Sequence, residues 1–531
     1  MAPESQPSED MIDQLVHQFS DPFAFYRELI QNGIDAGSSR IEVTLRFQPG
    51  RDKGLANVQV QDWGEGMNRQ IIETYLLTKF RSSKEGDLTK IGKFGIGFMS
   101  VFSPAPELVV VDTGRDGESW RLLLHPDKTY ELLGCPQPVE GTRITLHKEM
   151  TAAEYHEFKG RSREAIQRWC RHSEADVTFA AGDGDGAPPG PPVAVRQPFA
   201  VDAPFQVEYR EEGTFIIAGP SRQDPAECGL YNRGLTLLET KDVFFPGVTF
   251  KIVSRYLEHT LTRDNVRRDR NFDRALELVR KLIEGPLRDR LPDELEKAAR
   301  SASAWDDYRV LLAFAIGRLP PDELWFRRAS GGAVQGREVN RTLAAAGTLL
   351  FAPSAAPDRP DTLVAALEQD GLVVLLSEQD RPIANLVHFL FRAAKSSAAE
   401  AAYCVARPEP AGEPGTLLCS ALAELLAAGG ARVGSVALAT VHGAGADRQV
   451  VGVESLGRPV PAEVARRSPF GRGAPKLLCL NSTDPAIGSA LALARSSPRL
   501  AALFTFRLIA TAFGALDERA DWAVTELSLS R

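Results

Sequence analysis

Cysteine is scarce and unpaired in pattern. The chain has 531 residues and six cysteines (Cys135, Cys170, Cys228, Cys404, Cys419 and Cys479), with no C-x-x-C among them. The expectation is reduced, structural thiols in a cytosolic protein. No charge-free apolar run of about 18 or more residues occurs, so no membrane span is expected. The opening MAPESQPSED is polar and acidic and has no apolar h-region, so no signal peptide is expected. Repeats of about 20–50 residues are also lacking. Basic charge is not in excess. The 62 Lys+Arg against 70 Asp+Glu leave a net charge of -8, which weighs against nucleic acid as the main partner. What remains is ordinary globular composition, 43% hydrophobic and 25% charged, in a chain long enough for about three domains.

The most informative stretch is FAFYRELIQNGIDA, Phe23 to Ala36, which the pattern predicts as one helix. Ser20 or Asp21 would be its N-cap, Pro22 would take the first helical position, and Gly37 would end it. Glu28 and Asn32, four apart, share a face one turn apart. Polar and apolar positions interleave, which would turn this face into a cleft and suit two oxygen-bearing groups converging on one small ligand. Taken alone, the pair is more often a solvated face.

RIEVTLRF (Arg40 to Phe47) and NVQVQ (Asn57 to Gln61) alternate as strands, with a turn around residues 50–54. DWGEGM, Asp62 to Met67, puts an acid at a strand end before two glycines. Glycine lets the backbone approach a planar ligand, and the carboxylate can accept a hydrogen bond from an amine in an apolar pocket. The segment reads equally as a plain D-x-G turn. Residues 68–91 begin as a helix and continue as TKFRSSKEGDLTK, a polar stretch with the character of a mobile flap. GKFGIGFMSVF, Gly92 to Phe102, sets three glycines before an apolar run that reads as a buried helix. Such a turn presents backbone N–H groups to an anion, or serves close helix packing.

Four strands follow between residues 107 and 150, the last opened by Gly141-Thr142-Arg143-Ile144, and then a helix over Ala152 to Cys170. Runs of strands after helices favour an α+β sandwich over a βαβ repeat. AGDGDGAPPGPP, Ala181 to Pro192, is a linker by composition. Strands FQVEYR, GTFIIAG and VTFKIVS, with GLYNRGLTLLE (Gly229 to Glu239) between, lead to an arginine-rich loop and a helix from about Asp273. The simpler account of that loop is a solvated helix entry laced with Asp264, Asp269 and Asp273. A small α/β unit spans 348–394, RPEPAGEPG (407–415) reads as a second linker, and the Ala- and Leu-rich remainder mixes strands with helices.

The order of motifs is more specific than any one of them. E-x-x-x-N-x-x-D-A, D-x-G-x-G-M, G-x-F-G-x-G-F and G-T-x-I within the first 145 residues resemble the Bergerat-type (GHKL) ATPase superfamily of Hsp90, gyrase, MutL and histidine kinases. Within it the chain looks like the Hsp90 chaperone family, in a short bacterial-type form. GKFGIGFMSVF is similar to that family's glycine loop and unlike the G-F-R-G-E-A-L of MutL proteins, although DAGSSRIEV has a MutL-like flavour. GLYNRGLTLLE resembles the opening of the middle domain, LEHTLTRDNV its arginine-delivering loop, and LEQDGLVVLLSEQDRPIANLVHFLF its late part. PKLLCLNSTDPAIGSALAL and the apolar helix through Leu503 to Ala510 resemble the C-terminal dimerisation domain.

The resemblance implies an α+β fold: an N-terminal Bergerat α/β sandwich over 1–182, a linker over 183–192, an α/β middle domain over 193–406, and a smaller mixed α/β dimerisation domain over 407–531. It implies ATP and Mg²⁺ as ligands. Glu28 would be the general base and Asn32 the Mg²⁺ ligand, with Asp35 beside them. Asp62 would accept the adenine amino group, with Gly66, Met67 and Thr142 completing that end. Gly95, Ile96, Gly97 and Phe98 would offer N–H groups to the phosphates. Arg81 falls where the family has a phosphate-contacting lysine, with Lys84 or Lys93 as substitutes. Arg263 would reach the γ-phosphate, with Arg267 and Arg268 near it. The partners implied are a second copy of the chain and unfolded client proteins, in the cytoplasm and away from membranes and nucleic acid.

Departures from the family are a shorter flap, a Gly/Pro-rich linker, no acidic tail after TELSLSR and a short chain, so co-chaperone regulation is not implied. A competing reading is an ATP-gated dimeric switch acting on a specific partner or nucleic acid in repair or defence. A third is a nucleotide-binding scaffold with little turnover, against which Glu28 weighs. A histidine kinase lacks support, because no phospho-acceptor helix precedes the ATP-type motifs.

Overall fold

The structure, a computed structural model, describes residues 21–77, 96–127, 129–260, 265–354, 361–377, 382–393 and 395–529. The chain divides into two compact units, Met1–Leu287 and Arg288–Arg531.

The first unit is built on an eight-stranded sheet. Its strands are β1 (Arg40–Gln48), β2 (Gly54–Asp62), β3 (Leu108–Arg115), β4 (Glu118–Leu124), β5 (Tyr130–Gly134), β6 (Gly141–Met150), β7 (Asp176–Ala181) and β8 (Val193–Ala194), in the order β5-β4-β3-β6-β2-β1-β7-β8. All neighbours are antiparallel except β1 and β7. Period-two patterning drives this. Ile41, Val43, Leu45 and Phe47 of β1 and Ala56, Val58 and Val60 of β2 are buried on one face. Helices α1 (Ala24–Asp35), α2 (Ile96–Met99) and α3 (Ala152–Cys170) belong to this unit, and α1 packs against both of the others. Tyr26 and Ile30 of α1 and Tyr155 and Ile166 of α3 share the core with that face. A capping box starts α3: Thr151 Oγ1 accepts from the Glu154 N–H, and the Glu154 carboxylate accepts from the Thr151 N–H.

The entry to α1 differs in detail from the sequence expectation. Phe23 sits at the N-cap without a side-chain bond, and Asp21 instead accepts from the Phe23 N–H at 3.0 Å, inside the preceding turn. Gly37 ends the helix at φ +80°, as a C′ glycine does.

A second sheet completes the unit, with β9 (Val207–Glu211), β10 (Thr214–Pro220), β11 (Cys228–Asn232), β12 (Leu235–Thr240) and β13 (Val248–Ser254) in the order β12-β11-β13-β10-β9. Helix α4 (Arg270–Leu282) starts three residues before the expected Asp273, because Asp269 caps the N–H groups of Asn271 and Phe272.

His172, just after α3, ties the two parts together. Its Nε2 lies 3.0 Å from Lys251 Nζ on β13 and accepts from that ammonium, which leaves Nδ1 to donate to the Gln197 carbonyl at 3.3 Å. Burial, then the Lys251 charge, pulls its pKa down to about 4. The unfolded chain takes up this proton near pH ~6.5 and the folded one only near pH 4, so stability falls as pH drops through that window. His172→Gln is expected to remove about 1–2 kcal/mol of the acid destabilisation, after discounting for partial exposure. Denaturant unfolding at pH 7 and pH 4.5 measures it, and an unchanged difference would refute the assignment.

In the second unit, one five-stranded sheet runs Val450–Val453, Leu477–Asn481, Ser435–Gly443, Tyr403–Pro408, Pro459–Pro461. Helices Gly412–Ala428, Pro485–Ala494 and Pro498–Ala512 pack with it around Leu422, Ile487 and Phe506. Residues 407–415, read as a linker, are instead the end of a strand, a short connection over 409–411 and the first turn of a helix. Proline is tolerated in a first helical turn, so Pro414 does not interrupt it. Among the described residues no helix is long and apolar enough to cross a membrane.

Candidate functional site

The site residues of the first unit gather where α1 meets the end of β2. Helix α1 approaches closely because residue 33 is glycine: a Cβ there would lie 3.0 Å from the Asp62 Cβ and 3.1 Å from Ile41 Cδ1. The D-x-G turn is clamped to the same helix end, with Glu65 N–H donating to the Ala36 carbonyl at 2.9 Å. Gly64 is required there, since its Cβ would fall 2.7 Å from the Ala36 carbonyl oxygen. Gly66 turns the chain at φ +63°. Glu28 of α1 is 3% exposed, whereas Asn32, one turn on, is exposed.

Asp62 is the last residue of β2 and continues the buried column Ala56, Val58, Val60 on the helix-covered face. The register pairs Asp62 with Thr142 of β6, and Thr142 with Thr113 of β3. Three polar side chains therefore stand in one row at the end of an otherwise apolar sheet face. Thr113 is 1% exposed. Its Oγ1 accepts from the Met67 N–H at 2.9 Å, lies 3.2 Å from the Gly141 carbonyl oxygen, and lies 3.0 Å from Thr142 Oγ1. With its single proton on Gly141, Thr113 accepts from Thr142.

Burial raises the Asp62 pKa, opposed by hydrogen bonds from the Gly64 and Thr142 N–H groups, the former at 2.9 Å. A half-dry carboxylate at the floor of an apolar face is suited to accept a hydrogen bond from an amine. On the opposite face, the buried Asp112 is held by the half-exposed Arg121 through two bonds, at 2.6 and 3.0 Å, an ion pair outside the site.

Asp35 closes the helix end. Arg233, on the β11–β12 turn, donates to its carboxylate at 3.1 Å. Burial raises the Asp35 pKa and Arg233 opposes this. The nitrogens of Ile96, Gly97 and Phe98 lie in the first turn of α2, which packs on α1. The structure thus brings Asp62, Gly66, Met67 and Thr142 to one end of the sheet, with Glu28 buried on α1, which packs on β2, and Asn32 and Asp35 at the end of that helix. Gly95, Arg81, Lys84, Lys93 and Arg263 lie outside the described residues. Thr113 and Arg233 were missed from sequence. The alternation Val109, Val111, Thr113 signalled the first, and nothing local signalled the second.

Residues 24–131 match the family model described as histidine kinase-, DNA gyrase B-, and HSP90-like ATPase. The chain is 28% identical over 210 residues to Chaperone protein HtpG of Rhodospirillum rubrum, a match covering 33% of this chain and 32% of that protein. It is 31% identical over 169 residues to Chaperone protein HtpG of Methylococcus capsulatus, covering 26% of each. It is 29% identical over 163 residues to the protein of the same name from Helicobacter hepaticus, again covering 26% of each. The chain spans about a third or less of the length of these curated relatives.

Proposed function

We propose that the chain is an ATP-hydrolysing molecular chaperone of the Hsp90 type. The observation that carries this reading is the row Asp62, Thr142, Thr113 standing beside the helix that bears Glu28, inside the segment matched by the ATPase family model. In this reading Asp62 accepts the adenine amino group, and Thr142 and the Gly66–Met67 backbone complete that end. Glu28 orients and deprotonates the attacking water. The N–H groups of Gly95, Ile96, Gly97 and Phe98 hold the phosphates, joined by Arg81 from the flap and Arg263. Mg²⁺ prefers oxygen ligands, which the Asn32 side chain offers, and when bound it neutralises phosphate charge. Among the described residues no cluster of three or more His, Cys, Asp or Glu could hold a metal. Such an ion would take its other oxygens from phosphate and water.

The layout of ATPase portion 1–182, middle portion 193–406 and dimerisation portion 407–531 belongs to the same reading, as does closure of a dimeric clamp on unfolded proteins in the cytoplasm. Dimerisation is supported by apolar side chains on two helices near the end of the chain. Leu500 and Phe504 are 52% and 41% exposed on Pro498–Ala512, and Trp522 and Leu529, seven residues apart, are 74% and 76% exposed on Glu518–Leu529. The double variant Trp522→Ala, Leu529→Ala is expected to weaken self-association at least about tenfold. Analytical ultracentrifugation reads it, and an unchanged dimer would move the interface elsewhere.

The test of the function is ATP turnover together with suppression of aggregation of a guanidinium-unfolded protein. ATP-dependent suppression supports the proposal. Turnover stimulated by DNA and indifferent to unfolded protein would replace it with the partner-specific switch.

A further inference from the structure

A cavity of about 210 Å³ lies away from the residues above, between the end of α3 and the second sheet. We propose that it is a binding site for a small oxyanion of the phosphate or carboxylate class, held by Lys251 and Arg171. The proposal does not depend on the nucleotide reading.

The lining carries three carboxylates, Asp202, Glu227 and Glu239, and two cations, Arg171 and Lys251, and what favours an anion is which of them are already paired. Two carboxylates there are already engaged. Glu239 accepts from the Tyr231 hydroxyl at 2.5 Å and is ion-paired with Arg171. Asp202 is held by Arg222 Nε and Gln223 Nε2, each at 3.3 Å. Glu227 is exposed at the rim. Lys251 has no such partner. Its ammonium has three N–H donors, and one is spent on the neutral imidazole of His172 at 3.0 Å. Among the described residues no carboxylate lies within ion-pair distance of it. Arg171 adds a second cation to the lining, with its buried Nε unpartnered. Burial, then the Arg171 charge, lowers the Lys251 pKa, opposed by the more distant Glu239 and Glu227 carboxylates. A bound anion gives the Lys251 ammonium a charge-assisted partner and the Arg171 Nε an acceptor.

Size narrows the ligand. The space exceeds that of a few waters at about 30 Å³ each, yet falls below the roughly 300–1,000 Å³ of pockets that take drug-sized ligands. A free oxyanion or a terminal phosphate or carboxylate fits. Position gives such binding a consequence. Arg171 follows α3, whereas Lys251 sits on β13 of the second sheet. An anion bridging them fastens the first sheet's helix to the second sheet.

The test uses the full chain with inorganic phosphate and, separately, malonate, each against chloride of equal ionic strength. At ten times Kd either anion is expected to raise the unfolding temperature of the first transition by roughly 3 °C. Lys251→Met is expected to weaken that affinity at least about tenfold, and Lys251→Arg to retain it. Lys251→Gln reads the same loss should the methionine variant fail to fold. An effect of phosphate alone assigns the site to phosphate groups, and one of malonate alone assigns it to carboxylates. No shift with either anion, or an undiminished shift in both Lys251→Met and Lys251→Gln, would overturn the proposal.

Discussion

Glu28→Gln is expected to lower ATP turnover by about 10²- to 10⁴-fold, the usual worth of a positioned general base, while ATP affinity changes by less than about threefold. The asymmetry follows from placement. Glu28 is buried in α1, and Asp62 and Thr142, the groups proposed for the adenine end, sit on neighbouring strands of the sheet. An acid that meets only the attacking water contributes to the transition state and little to the ground state, so its loss appears in kcat and not in KM. Glutamine keeps the shape and the oxygen acceptor of the side chain and removes the base, so the buried position stays filled. Single-turnover hydrolysis with binding measured in parallel separates the two quantities. Turnover within about tenfold of the parent would remove Glu28 from the chemistry and favour the low-turnover scaffold. A matched loss of affinity would make Glu28 a binding residue.

Much of this site was legible in the chain because its signals are local. The alternation of Arg40–Gln48 and Gly54–Asp62 fixes which face is buried, and parity then places Asp62 on the helix side. Gly37 and Gly66 mark turns that only a positive φ can make. What escaped is non-local. Thr113 hides in ELVVVDT beside the more conspicuous Asp112, yet Asp112 faces the other side and pairs with Arg121. Arg233 meets Asp35 from 198 positions away, and Lys251 reads from sequence only as the inward or outward member of a strand. Composition misled at 407–415, where prolines and glycines suggested a linker. A first helical turn needs no N–H from proline, so the same residues open a helix that packs through Leu418 and Leu422.

Asp62→Asn is expected to weaken ATP binding by roughly 10- to 100-fold without loss of folded stability. A hydrogen bond to a charged acceptor is worth about 1.5–3 kcal/mol, and each ~1.4 kcal/mol is tenfold in affinity. Asparagine retains an acceptor oxygen for the Gly64 N–H but loses the charge, and can turn an N–H₂ donor toward the incoming amine. Stability moves the other way. Burial raises the Asp62 pKa above its unfolded value, so the ionised carboxylate opposes folding at pH 7, and that cost disappears as pH falls below the unfolded value. The amide removes the cost at neutral pH, so the variant should unfold at or above the parent's temperature. The same shift sets a pH dependence. A protonated Asp62 is a poorer acceptor, so the parent's ATP affinity should decline on acidification with a midpoint above the ordinary aspartate value, and the variant should lose that decline. Calorimetric titration with ATP between pH 7 and pH 5 measures both effects. Equal affinities in parent and variant would show that adenine is not read by Asp62, and the row it forms with Thr142 and Thr113 would then be a structural ladder at the sheet end.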